Sequence, residues 1–190
     1  MEGFTIRQAT LADSAALAAI YAYYVEHTAI TFEYEAPAPE AFAARLASIM
    51  AHYPYLTACC GEEIVGYAYA APFKGRTAYD WAVEVTIYLK QGTQRRGAGK
   101  MLYAALEEAL GRMGILNLYA CIAFPRKEDG TLTRNSADFH AHMGYRTVGT
   151  FSQCGYKFGR WYDMIWMEKF IGPHGDNPPP VTPFGRLPSE

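Results

Sequence analysis

The chain has 190 residues, 51% of them apolar, and a formal net charge of −2. That length is enough for one domain with a real core. The small net charge excludes a global attraction to nucleic acid or to an anionic membrane.

In chain order, Phe4-Thr5-Ile6-Arg7 reads as a short strand. Asp13 is placed to cap a helix that carries Leu17, Ile20, Tyr21 and Tyr24. Pro39-Glu40 opens a second helix, with Phe42, Leu46 and Ile49 on one face. Residues 55–60 and 64–70 flank Gly61-Glu62-Glu63 as a hairpin. A strand over 81–89 leads through a basic, Gly-containing loop into a helix over 99–112. An apolar strand over 116–124 follows, then a polar loop over 127–133 and a helix from Asn135 to Met143 stopped by Gly144. Strands over 146–151 and 164–169 close the sheet. From Gly172 onward the chain is rich in proline with little periodicity, as in a surface tail or extended arm.

The loop Gln94-Arg95-Arg96-Gly97-Ala98-Gly99-Lys100 carries the most chemistry. Strand, basic glycine turn and helix in that order make an anion pocket. Helix-start N–H groups and the helix dipole face the ligand, and glycine lets backbone come close. A Walker A loop is excluded, because Gln94 stands at its first glycine and Met101 at its Ser/Thr. A dinucleotide fingerprint is excluded too, because its third glycine falls on Leu102. What remains is Gln/Arg-x-x-Gly-x-Gly/Ala, either a cradle for a pyrophosphate or an ordinary strand-to-helix loop whose glycines serve only the turn.

On the strand over 81–89, Val83, Val85, Ile87 and Leu89 share one face, while Glu84, Thr86 and Tyr88 share the other. The four cysteines (Cys59, Cys60, Cys121, Cys154) show neither Cys-x-x-Cys spacing nor a disulfide framework, and are expected to be reduced, mostly buried thiols. His140 and His142 lie two apart and point to different sides of a helix, so no zinc-type site is expected. There is no charged-then-apolar leader pattern, and no apolar run approaches the ~20 residues of a membrane span, so a cytoplasmic protein is expected.

The pyrophosphate loop resembles that of the GNAT acetyltransferases, where it cradles coenzyme A. The run from Tyr79 to Leu89, together with Ile30-Thr31-Phe32-Glu33, Tyr53-Pro54, Gly66-Tyr67-Ala68-Tyr69-Ala70 and Gly155-Tyr156-Lys157-Phe158-Gly159-Arg160-Trp161-Tyr162-Asp163, is similar to the phosphinothricin and methionine sulfone acetyltransferase group of that superfamily. The resemblance covers the chain from about Ile6 to Phe170. It implies one mixed α/β (α+β) domain over 1–171, with a mostly antiparallel sheet, a splayed central strand pair and flanking helices. Residues 172–190 form the tail.

The resemblance also implies acetyl-CoA as cosubstrate, no metal, and direct attack of an amine on the thioester. Glu84 falls on the family's catalytic glutamate. An ammonium cannot attack, so a carboxylate must take the proton, and the oxyanion needs N–H donors. These fall to the backbone of Ile87 and Leu89, beside Tyr88. Coenzyme A contacts are expected from Arg95, Arg96, Gly97, Ala98, Gly99, Lys100 and Asn135. Thr133 holds the spacing of the family asparagine because the loop Pro125–Gly130 is inserted. His140 falls on a histidine of the group, and either handles protons or orders the acceptor, or simply packs near Gly144-Tyr145. Lys74, Gly75 and Arg76 either meet the acceptor carboxylate or phosphinate or, for Lys74 and Arg76, stand in a solvated loop, with Phe32, Val85 and Thr86 lining the pocket. Arg160 and Trp161 serve either the pocket or a dimer contact, and a homodimer is expected. The acceptor is expected to be a small amino acid or analogue of the phosphinothricin or methionine sulfoximine type. Another small amine, a protein amine, or a non-catalytic acyl-CoA sensor are the alternatives.

Overall fold

The computed structural model describes residues 3–94 and 96–188. Seven strands form one sheet: β1 (Phe4–Gln8), β2 (Tyr55–Cys60), β3 (Glu63–Pro72), β4 (Ala82–Leu89), β5 (Asn117–Phe124), β6 (Arg146–Lys157) and β7 (Arg160–Phe170). Their order is β1-β2-β3-β4-β5-β7-β6. Every neighbouring pair is antiparallel except β4 with β5, which is parallel. Helices α1 (Ser14–His27) and α2 (Pro39–Met50) cover one face, and α3 (Ala98–Met113) and α4 (Asn135–His142) cover the other.

Each helix follows from its apolar spacing. In α1, Leu17, Ile20, Tyr21, Tyr24 and Val25 are buried, one stripe at the helical period. They pack with Phe42 and Leu46 of α2 against Tyr55 and Tyr67 of the sheet. On the opposite face, Leu102, Leu106, Leu110 and Met113 of α3 meet Val83, Val85, Leu118 and Ile165. Asp13 does not cap α1 through its side chain. Its carboxylate instead receives the Thr10 N–H (2.7 Å) and the Arg7 guanidinium (2.7 Å), closing a capping box one turn earlier around a short 3-10 segment, Leu11–Asp13.

The last two strands are longer than the expected 146–151 and 164–169. They form a hairpin across the two-residue turn Phe158-Gly159, and both turn residues have positive φ (51° and 75°), the geometry of a type I′ turn. Irregularities between Thr147 and Gly149 and between Phe151 and Gly155 break the period-2 alternation of β6, which hides its length in the sequence.

The Pro-rich tail runs along the end of the sheet where β4 and β5 begin. The Trp81 indole donates to Pro179 O (2.8 Å), Thr182 N–H to Met113 O (2.9 Å), and Phe184 N–H to His52 O (2.9 Å). Val181, Phe184 and Leu187 pack against the α3 core. Proline suits this role because it has little backbone freedom to lose on docking.

Candidate functional site

The sheet has a gap at its centre. β4 and β5 pair only over Ala82–Glu84 with Asn117–Tyr119, and diverge beyond. At the two ends of the β3–β4 ladder, Lys90 N–H, just past β4, donates to Val65 O (2.8 Å), and Ala82 O accepts from Phe73 N–H (3.3 Å), just past β3. The even-numbered residues therefore turn their backbone polar groups to β3. The odd ones (Val85, Ile87, Leu89) turn theirs toward the gap. The Leu89 carbonyl is engaged there by the Tyr24 hydroxyl (2.6 Å), and Leu89, expected with Ile87 to supply an N–H donor, is not among the residues that line the cavity. The amides of Val85 and Ile87 face a cavity of about 550 Å³ that passes through the sheet.

On one side of that passage stands the start of α3. Gly97 is its N-cap, with φ 97°, and the first intrahelical bond is Met101 N–H to Gly97 O (3.1 Å). The N–H groups of Ala98, Gly99 and Lys100 thus have no partner within the helix and carry the positive end of its dipole. Gly99 is needed for a different reason: a Cβ there would lie 3.2 Å from the Phe139 ring and 3.5 Å from Ile87 Cδ1. It lets α3 close against α4 and the gap. Arg96 lies over the Phe4 ring (5.6 Å) on the exposed rim. Arg95, also expected at the cofactor, lies outside the described residues.

On the other side stand Phe32, Tyr69 and Glu84. Glu84 is the last β4 residue paired with β5, at the vertex of the gap. Desolvation raises its pKa, and the Lys74 ammonium nearby partly offsets that. A carboxylate held this way is more basic than an exposed one, as proton abstraction from an amine requires. Thr86 and Tyr88 follow on the same face, where the Tyr88 ring packs with Tyr21, Tyr24 and Tyr67.

The remaining expected site residues divide. Val85, Thr86, Ile87, Tyr88, Phe32 and His140 all line the cavity. Lys74, Gly75 and Arg76 do not: they are exposed on the β3–β4 connection, with Lys74 Nζ over the rings of Phe73 (4.9 Å) and Trp166 (5.8 Å). Lys74 reaches Glu84 only through its field. Asn135 is exposed at the start of α4 and its N–H meets Thr133 Oγ1 (3.4 Å), while Ser136 is the cavity-lining residue of that turn.

His140 is 3% exposed. Its Nδ1 sits 2.7 Å from Ser136 O, a carbonyl that can only accept, so Nδ1 carries the proton. Nε2 then accepts from the Tyr103 hydroxyl (2.8 Å). Burial lowers the pKa to about 4 from an ordinary 6.5. Because the folded pKa is depressed, the unfolded chain binds this proton first as pH falls. Stability is therefore present above pH 6.5 and lost on descent toward pH 4, by up to about 3 kcal/mol. Denaturant midpoints of His140→Gln should fall less over that window than those of the native chain; equal slopes would refute the assignment.

The expectation of mostly buried thiols is corrected. Cys59 is buried, but Cys121 and Cys154 are exposed to the cavity. Desolvation and the adjacent Glu84 carboxylate push the Cys121 thiol up to about 12, which makes it a poor nucleophile. The signal for Cys121 was its place two residues after Tyr119, the pairing partner of Glu84, hence on the Glu84 face. Among the described residues no group of three or more His, Cys, Asp or Glu is placed to hold a metal ion, and no helix is long and apolar enough to cross a membrane.

Residues 6–166 match the family model described as an acetyltransferase (GNAT) domain. The chain is 36% identical over 183 residues to a phosphinothricin N-acetyltransferase of Streptomyces viridochromogenes, covering 96% of this chain and 95% of that protein. It is 28% identical over 173 residues to an L-methionine sulfoximine/L-methionine sulfone acetyltransferase of Salmonella typhimurium, covering 90% of this chain and 96% of that protein. Among solved structures, a GNAT superfamily phosphinothricin acetyltransferase from Sinorhizobium meliloti, in complex with AcCoA, superposes with a TM-score of 0.84 at 30% identity, covering 97% of this chain and 99% of that one.

Proposed function

The chain belongs to the GNAT acetyltransferase family and is an N-acetyltransferase that uses acetyl-CoA, and we propose that its acceptor is the α-amino group of a small amino acid or analogue of the phosphinothricin or methionine sulfoximine type. The names of its relatives support that class of acceptor. The observation that carries the mechanism is the position of Glu84, at the vertex of a passage with a helix start on one side and the Phe32 wall on the other.

Acetyl-CoA enters from the α3 side, with its pyrophosphate on the N–H groups of Ala98, Gly99 and Lys100. Its thioester lies along the gap, where the Val85 and Ile87 amides meet the carbonyl. The acceptor enters from the Phe32 side. Its nitrogen attacks the thioester carbon and gives up a proton to Glu84, directly or through one water. The oxyanion forms against the β4 amides, then collapses with cleavage of the C–S bond. The thiolate leaves and takes up a proton from solvent or from the acid form of Glu84. His140 stays neutral, and its part is to hold the Tyr103 hydroxyl in the cavity wall. Lys74 and Arg76 attract the acceptor carboxylate from the rim.

The same reading includes a homodimer. β6 is an edge strand of 12 residues, exposed along most of its length, and Phe151 (53%) and Trp161 (57%) stand out on the β6–β7 hairpin. An exposed, partly apolar edge of that length is normally covered. A cytoplasmic setting fits the free thiols of Cys59, Cys121 and Cys154. Thiol release from acetyl-CoA across amino acids, sulfones, sulfoximines, polyamines and an N-terminal peptide tests the acceptor class. Turnover confined to the polyamines or the peptide would reject it. A monomer mass by light scattering at micromolar concentration would reject the dimer.

A further inference from the structure

The segment Lys157-Phe158-Gly159-Arg160-Trp161, which carries part of the resemblance to the phosphinothricin group, joins β6 to β7, yet none of it lines the cavity. Lys157 is the unusual member. It is the last residue of edge strand β6 and still only 2% exposed. Among the described residues its ammonium forms no ion pair. Nζ donates to Val25 O (2.7 Å) and to Thr31 O (2.8 Å), and lies over the Phe158 ring (5.1 Å).

Each partner compensates part of the cost of burying this charge. Val25 is in the last turn of α1, so its carbonyl has no helical partner and sits at the negative end of the helix dipole. Thr31 lies in the α1–α2 connection, next to Phe32. The left-handed conformation of Phe158 (φ 51°) brings its ring back over the ammonium, where the π face supplies further negative potential. A lysine buried without an ion pair, with the Glu33 carboxylate of the same connection acting on it only through its field, is retained at a cost, and what it supplies is the geometry it imposes. That geometry joins the end of α1, the connection bearing Phe32, and the β6–β7 hairpin.

Other contacts converge on the same connection. The Phe32 ring sits so close to Gly155 that a Cβ there would come within 2.2 Å of it. The Tyr34 hydroxyl donates to Tyr156 O. Ala29 N–H donates to Thr131 O (3.0 Å), just after the inserted loop, and the Thr131 hydroxyl meets that of Tyr162 (2.8 Å). The inserted loop is itself tied to the hairpin by Arg160 with Asp129 (3.0 Å) and Arg126 with Asp163 (3.1 Å).

We propose that Lys157 is a positioning residue: its ammonium pins the α1–α2 connection to the β6–β7 hairpin and so sets the Phe32 wall of the acceptor site. Among the described residues α3 and the β4 amides make no hydrogen bond to Lys157, Val25 or Thr31, so the cofactor side is expected to be little affected. The inference rests on the reading of the Phe32 side as the acceptor entrance.

Lys157→Met keeps the length and the apolar stem and removes the donors. The acceptor KM should rise at least tenfold, with the KM for acetyl-CoA within about twofold of the native value. Amide hydrogen exchange over residues 28–34 should accelerate by an order of magnitude or more. An unchanged acceptor KM, unchanged exchange over 28–34, or an equal rise in both KM values would overturn the proposal. Should Lys157→Met fail to fold, Tyr34→Phe removes the parallel bond from an exposed ring. It should raise the acceptor KM about threefold with faster exchange over the same residues, and no change in either would overturn the proposal as well. The exchange measurement needs no acceptor. A native chain that acetylates no amino acid in the panel would reject the acceptor reading, while faster exchange in the variant would still establish the pin.

Discussion

Glu84→Gln lowers the rate of acetyl transfer by about 10²- to 10⁴-fold, the usual range for removing a general base, and leaves acetyl-CoA affinity within about twofold. The two effects separate because the two binding sides separate. In the proposed reading the amides at the start of α3 and along the gap edge of β4 hold the cofactor, whereas the Glu84 side chain is on the Phe32 face. Glutamine keeps the shape and cannot accept the proton. An α-amino acceptor has a pKa of ~8, so the native pH–rate profile should climb through two ionisations, Glu84 and the amine. The variant should retain only the amine limb. Burial raises the Glu84 pKa, so ionising this group costs folded-state stability as pH rises through its folded pKa. The variant should therefore melt no lower than the native chain at neutral pH, and slightly higher is expected. Native turnover in Glu84→Gln across the whole pH range would remove Glu84 from the base role.

The legible part of this fold was the part encoded by local rules. Gly97 and Gly99 after an alternating strand marked the helix start. Leu102, Leu106 and Leu110 at helical spacing marked the face that α3 buries. The position of Glu84 on the face opposite Val83 and Val85 follows from strand alternation alone. What was not legible depends on register and on distant contacts. The gap, expected from the resemblance as a splayed central strand pair, exists because β4 and β5 stop pairing after Glu84 and Tyr119, and neither strand carries a sequence break there that would place it by local rules. β6 could not be followed past Phe151 because its irregularity hides the pattern. The buried state of Lys157 comes from a carbonyl 132 residues away, and no periodicity on β6 signals it. The exposed thiols of Cys121 and Cys154 were missed for the opposite reason. Cysteine is usually buried, whereas Cys121 lines the through-sheet cavity and Cys154 lines it from the exposed edge strand β6.

Gly97→Val weakens acetyl-CoA binding by at least tenfold, and the backbone rather than the side chain is the cause. A Cβ at Gly97 meets nothing within 4 Å, so the protein itself has room for it. The obstacle is φ at 97°, a conformation that costs an ordinary L residue about 1–2 kcal/mol and a β-branched residue more. The chain either retains that strain or relaxes the peptide to negative φ, which rotates the N–H groups of Ala98, Gly99 and Lys100 away from the phosphate site. Retained strain lowers folding stability, whereas relaxation is paid in cofactor affinity, because the bound pyrophosphate requires the native orientation. A side chain lying in the path of the pyrophosphate would also weaken binding, and asparagine distinguishes the two. Asn tolerates the left-handed region but is bulkier than Ala. If the backbone is the cause, Gly97→Asn should bind acetyl-CoA more tightly than Gly97→Ala, and Gly97→Val least tightly of the three. If obstruction is the cause, affinity should instead fall with side-chain size, from Ala to Asn and Val. Equilibrium titration of acetyl-CoA decides the order, and native affinity in Gly97→Val would overturn the assignment of this turn to the cofactor.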